Sequence, residues 1–179
     1  MFDEVSAPIE LEVGFGMGRF LLAKAGKNPD VHYLGIEPLT GRVARVDVAA
    51  RKKGLTNINL MCGKAIDFLE HCIPSQKIRA VYLFFPDPWP KKHHAVRRVL
   101  SSAFATALSN VLTEDGAFHV ATDHETYYDQ MLEILNNHSQ FKRIEPLIRT
   151  DDERTDFELR FLAKKLPMFS ASWRKISTQ

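Results

Sequence analysis

Cysteine is scarce in this chain: Cys62 and Cys72 are the only two among 179 residues. Two thiols build no disulfide framework, and they do not stand in a CxxC spacing that would suggest a zinc site. Long apolar runs are missing as well, since stretches such as Val81–Phe85 are far too short to cross a bilayer. Met1-Phe2-Asp3-Glu4 has neither the basic patch nor the apolar core of a secretory leader. These absences point to a reducing cytoplasm, with no membrane partner and no disulfide scaffold. Charge of one sign is not in excess either: 24 Lys and Arg against 22 Asp and Glu leave a net charge of +2. That balance does not single out a polyanionic partner. Hydrophobic content of 45% and charged content of 26% are those of an ordinary globular chain, and the length suits one domain spanning 1–179. No repeat, low-complexity tract or linker divides it.

Short apolar segments alternate with helical patterns, the sequence form of a mainly parallel sheet with crossover helices. Strands are expected at Ile9–Val13, Tyr33–Glu37, Asn57–Cys62, Ala80–Phe85 and Gly116–Thr122. Between and after them, helices are expected near Arg19–Ala25, Thr40–Lys53, Ala65–His71, Val96–Asn110 and His124–Asn137. Phe141–Glu145 and Phe157–Lys164 read as strands with no helix between them, an antiparallel pair at the sheet edge. The result is a mostly parallel seven-stranded α/β sheet flanked by helices, of Rossmann-like type.

Leu11-Glu12-Val13-Gly14-Phe15-Gly16-Met17-Gly18 stands where the first strand meets the first helix. Glycine lets the backbone turn tightly and lets a ligand approach without a Cβ in the way. The spacing is GxGxG, not the GxGxxG associated with dinucleotide pyrophosphates. Glu12 would repel a pyrophosphate and attract an ammonium. S-adenosylmethionine carries an α-amino group and a sulfonium, so it suits this turn better than a nicotinamide dinucleotide. Glu37 ends the second strand, where an acid can accept ribose hydroxyls. Gly14, Gly16 and Gly18 complete the expected cofactor turn.

Phe84-Phe85-Pro86-Asp87-Pro88-Trp89-Pro90-Lys91-Lys92 leaves the carboxyl end of a buried strand, the edge where open α/β sheets bind ligands. It is similar to the Asn/Asp-Pro-Pro-aromatic loop of methyltransferases acting on exocyclic amines. With His93-His94 and Arg97-Arg98 behind it, the segment more closely resembles the signature of the bacterial tRNA (guanine-N7)-methyltransferases, a family of class I S-adenosylmethionine-dependent methyltransferases. The glycine turn, Ala121-Thr122-Asp123-His124 and Thr155-Asp156-Phe157-Glu158 fit the same family in the same order. The likeness runs over roughly residues 8–162.

That resemblance implies a class I methyltransferase fold and transfer of a methyl group to guanine N7 at position 46 of the tRNA variable loop, giving 7-methylguanosine. It implies that Glu12, Glu37 and Asp87 belong to the cofactor site and that Asp87 is the catalytic residue. Lys91, Asp123, Thr155, Asp156, Phe157 and Glu158 would contact the substrate. The basic run from Lys91 would meet tRNA phosphates. His93 and His94 lack a third ligand at a suitable spacing, so no metal is expected. Bland readings stand beside these: Asp123-His124 as a helix cap, Trp89 as loop packing, and Arg97-Arg98 as a solvated face.

Two features depart from the family. Lys64 takes the place of an Asp or Asn that meets the adenine amine, and a lysine cannot accept that hydrogen bond. The Ala65 amide remains available to adenine N1. Only about eight residues precede the first strand, where relatives carry a longer, often basic extension. These departures leave two alternatives: a non-catalytic tRNA-binding relative with impaired cofactor binding, or a same-fold methyltransferase with another substrate. Oligomeric state is not legible.

Overall fold

The computed structural model describes residue 2 and residues 6–177, apart from the side chains of Lys92, His94 and Ala95. The side chains of two members of the expected basic run, Lys92 and His94, and the extreme ends of the expected domain therefore lie outside what the structure describes.

Seven strands join one sheet in the order β3-β2-β1-β4-β5-β7-β6. They are β1 (Ile9–Val13), β2 (His32–Glu37), β3 (Ile58–Cys62), β4 (Ile78–Phe84), β5 (Leu112–Thr122), β6 (Phe141–Ile144) and β7 (Phe169–Lys175). The first five pair in parallel, and β7 runs antiparallel between β5 and β6. Six helices connect them: α1 (Arg19–Lys27), α2 (Thr40–Lys52), α3 (Ala65–His71), α4 (Ser102–Val111), α5 (Glu125–Asn136) and α6 (Asp156–Ala163).

Helices cover both faces, so the central strands are largely buried, polar Glu10 and Glu12 of β1 included. Every residue of β1 is buried. Alternation within β4 then sorts the two sides. Val81 and Leu83 join a core with Phe104 and Leu108 of α4 and Tyr127 and Met131 of α5. Ala80, Tyr82 and Phe84 face Phe20 of α1. Phe20 meets the Tyr82 and Phe84 rings edge-on, at centroid distances of 4.8 and 5.0 Å. Such aromatic geometry orients side chains as well as burying them.

The last third departs from expectation. Phe157–Lys164 is not a strand; Asp156–Ala163 forms α6, and the antiparallel partner of β6 is Phe169–Lys175. Phe157, Leu159, Phe161 and Ala163 alternate as in a strand, yet the local chemistry favours a helix. Thr155 accepts the Glu158 amide at 3.1 Å as N-cap, and Asp156 and Glu158 place acid in the first turn. Phe157 and Phe161, one turn apart, stack at 6.0 Å. β7 was hidden because polar residues sit inside it. Ser172 is fully buried against His119, sharing a 2.7 Å hydrogen bond with its Nδ1, and buried Lys175 donates to the Leu112 carbonyl at 2.8 Å. Burial lowers the His119 pKa to about 4, so the pair is neutral. The expected helix over Val96–Asn110 is likewise split, into a 3₁₀ turn at Lys92–Arg97 and α4, which Ser101 caps through the Phe104 amide at 3.2 Å.

Candidate active site

β1 ends at Val13, and the chain turns into α1 through three glycines in left-handed backbone, with φ of 74° at Gly14, 55° at Gly16 and 75° at Gly18. They do different work. A Cβ on Gly14 would meet nothing within 4 Å, so that face of the turn is open. A Cβ on Gly18 would come to 2.7 Å from Val46, so Gly18 lets α1 pack on α2. Glu37, at the end of β2, fastens the turn. Its carboxylate accepts the Gly16 amide at 3.0 Å, the Leu39 amide at 3.2 Å and Arg42 at 3.4 Å.

A cavity of about 260 Å³ opens over the turn. It brings together Glu12, Gly14, Gly16, Asp87, Thr155, Asp156 and Phe157, seven of the residues expected from sequence. A second cavity of about 510 Å³ shares Gly14 and continues along the carboxyl ends of β1 and β2 to Lys64 and Ala65. Its walls are largely apolar, including Val13, Ile36, Ile66 and Phe104, with Arg97 and Arg98 at one side. Glu37, Gly18, Lys91, Asp123 and Glu158 line neither cavity.

Glu12 is the electrostatic centre of the first cavity. It is buried, and its Oε2 has no hydrogen-bond partner among the described residues. Burial pushes its pKa up to about 8, against smaller opposing effects of the Leu21 backbone and Arg149. A buried carboxyl oxygen left without a donor is costly, so its retention suits a site that supplies a cationic or hydrogen-bonding ligand. Asp87 is exposed at the cavity mouth, on the loop leaving β4.

Elements far apart in sequence close the cavity. Arg19 of α1 donates from Nε to the Arg154 carbonyl at 3.0 Å, and Lys27 reaches Asp152 at 2.7 Å. These contacts lay the segment before α6 over the glycine turn. Glu158 is held in the interior: it forms a nearly buried ion pair with Arg149, at 3.1 and 3.0 Å to its two oxygens. The Arg149 guanidinium lies 4.0 Å from the centre of the Phe84 ring. Removing one partner from such a pair leaves an uncompensated buried charge. Glu158→Ala is therefore expected to cost about 3 kcal/mol, read as a lowered urea midpoint, with lost activity following lost stability. The Asp123-His124 pair divides its work: His124 accepts the Tyr127 amide at 3.3 Å and caps α5, while Asp123 stands half-buried just before it.

Sequence reading missed Arg19, Arg42, Arg160 and Phe85, which also line the first cavity. Arg19 follows the glycine turn directly, a placement that offers a signal. Nothing in the spacing marks Arg160. Among the described residues no group of His, Cys, Asp or Glu gathers as a metal site, and no helix is long and apolar enough to cross a membrane.

The strand order, the glycine turn after β1 and the acid-walled cleft at the strand ends define the class I, Rossmann-like methyltransferase fold. Solved structures agree. The 16S rRNA methyltransferase KamB matches with a TM-score of 0.74 at 14% identity, over 98% of this chain and 91% of that one. A SAM-dependent methyltransferase from Aquifex aeolicus matches at 0.66 and 13% identity, over 94% and 82%. The chain belongs to the family described as "Putative methyltransferase", whose model matches residues 6–171. Sequence relatives named tRNA (guanine-N(7)-)-methyltransferase include one from Aliivibrio salmonicida (strain LFI1238), 40% identical over 158 residues, covering 86% of this chain and 66% of the relative. One from Edwardsiella ictaluri (strain 93-146) is 40% identical over 159 residues, covering 86% and 67%. One from Escherichia coli (strain K12) is 41% identical over 138 residues, covering 77% and 58%. The chain thus spans between 58% and 67% of the length of these relatives.

Proposed function

We propose that this chain transfers a methyl group from S-adenosylmethionine to N7 of a guanine in tRNA, forming 7-methylguanosine at position 46 of the variable loop, in the cytoplasm. The observation that carries the cofactor reading is the buried Oε2 of Glu12, without a hydrogen-bond partner among the described residues, beside the open face of Gly14. An ammonium would satisfy that oxygen, and the missing Cβ leaves it room. The second cavity, reached past Gly14, offers apolar walls and the start of α3 at Ala65 to a planar base. The names of the relatives support the guanine in tRNA as acceptor.

When bound, S-adenosylmethionine supplies a methyl group activated by its positive sulfur. Guanine N7 has an in-plane lone pair and no proton, so its attack on the methyl carbon requires no general base. The N7–carbon bond forms as the sulfur–carbon bond breaks, and positive charge moves onto the purine. This chain's task is to orient the ring and favour that charge. Asp87, at the mouth of the Glu12 cavity, would do so. Asp123 would steady the base from the end of β5, while Thr155, Asp156 and Phe157, which line the Glu12 cavity, would contact it as well. Lys91, exposed beyond the loop, would meet the phosphate backbone.

Incubation with tritiated donor and unmodified tRNA, followed by digestion to nucleosides, tests this reading. Label in 7-methylguanosine is the expected result. Label in another nucleoside, or in none, would sink it.

A further inference from the structure

The loop bearing Asp87 does little to hold itself. Pro86, Pro88 and Pro90 offer no backbone N–H, and the non-glycine residues Phe85 and Trp89 sit in left-handed backbone, with φ of 50° and 42°. Such a loop persists only when its surroundings fix it. Its near end is held by the Phe85 amide, which donates to the Ala121 carbonyl at 2.7 Å. Farther along, Arg98 holds it. Arg98 donates from Nε to the Pro88 carbonyl at 2.7 Å and from Nη1 to Gln130 Oε1, and its guanidinium lies 4.7 Å from the centre of the Tyr127 ring. Tyr127 is itself fixed, its hydroxyl accepting the Leu100 amide at 3.1 Å. Beside it, Arg97 covers the Trp89 ring at 4.9 Å.

Tyr127 and Gln130 belong to α5, which begins two residues after Asp123. Arg98 is therefore a bracket between the loop that carries Asp87 and α5, the helix that follows Asp123. We propose that Arg98 is a positioning residue that sets the Asp87 loop against α5, and so fixes the relative placement of the two carboxylates for turnover; this rests on the methyl-transfer reading above. Its guanidinium is committed along an edge, at a tip and on one face, which leaves it poorly placed to serve as a phosphate contact. An ammonium keeps the charge but is a compact point charge, and cannot hold a carbonyl, an amide oxygen and a ring face together.

Arg98→Lys tests the proposal with charge conserved. The expected result is a kcat about 30-fold lower or more, since small misplacements near the chemistry cost this much. KM for tRNA should stay within about threefold, because the charge offered to phosphate is unchanged. Acrylamide quenching of tryptophan fluorescence supplies a readout independent of activity. Trp173 is fully buried and shielded from acrylamide, so the quenching reports chiefly on Trp89, and it should rise about twofold as the loop loosens. Gln130→Ala, which removes one anchor and leaves Arg98 in place, should give the same pattern at about fivefold in kcat. An unchanged kcat, a loss confined to KM, or unchanged Trp89 quenching in both variants would overturn the proposal. Wild-type protein without methyl transfer would instead refute the functional reading, and the quenching would still decide whether Arg98 holds the loop.

Discussion

Asp87→Ala is expected to lower the methylation rate by roughly 100- to 1,000-fold, the scale for removing one preorganised electrostatic contact in a transition state. The fold should be indifferent. Asp87 is exposed, and no hydrogen bond or ion pair within the described residues depends on it. Melting temperature should therefore remain within a degree or two of wild type, since exposed substitutions of this kind move stability little. Asp87→Asn separates charge from shape: it keeps the size and one acceptor, yet removes the negative charge that a developing purine cation requires. Single-turnover rates for both variants, beside calorimetric donor affinity, check the assignment. Near-wild-type turnover in either would take Asp87 out of the chemistry.

Glu12→Gln should move stability and function in opposite directions. The carboxyl's pKa is raised by burial from an ordinary 4.5 to about 8 in the folded chain. Below 4.5 the group is protonated both folded and unfolded, and its contribution is fully present. As pH rises from there towards 8, the unfolded chain releases the proton while the folded chain keeps it, so stability falls with pH. Above about 8 the loss is complete and the curve flattens. Glutamine has no such titration. The variant should melt higher than wild type, by little at pH 5 and by on the order of 10 °C at pH 8. Donor affinity should fall on the order of 30-fold, the scale of a lost hydrogen bond to a charged group. Thermal melts across pH, with calorimetry of the donor, read both effects. A variant that melts lower at every pH would show that Glu12 stabilises the turn and does not wait for a ligand. Functional sites commonly carry such a trade.

Most of the site was legible because its signals are local. Glycines at left-handed positions, an acid one residue before the strand end and a proline-rich loop after a buried strand are each readable from a few neighbouring residues. The parallel half of the sheet was legible for the same reason, since strands buried on both faces read as short apolar runs. What escaped depends on distant partners. β7 contains buried serine and lysine, which look like surface residues until His119 and the Leu112 carbonyl are seen beside them. α6 carries an alternating pattern that imitates a strand, and its Thr155 cap was the better guide. Glu158 fits a substrate motif in sequence, but Arg149, nine residues away, holds it in the interior. Arg97 and Arg98 read as a basic run facing RNA, whereas the structure turns both onto the Asp87 loop.

Counting protons on binding tests the cofactor pocket most directly. At pH 6.5 the amino group of S-adenosylmethionine is protonated, and Glu12, with its pKa near 8, holds a proton in the free chain. An opposite charge within a few ångströms favours the ionised carboxylate by one to three pKa units. Titration of the donor in two buffers of different ionisation enthalpy should show release of about 0.2 to 0.9 of a proton per molecule bound. Glu12→Gln should show none. Tight binding of the donor with no proton released by wild type, or no binding at all, would contradict the pocket assigned here.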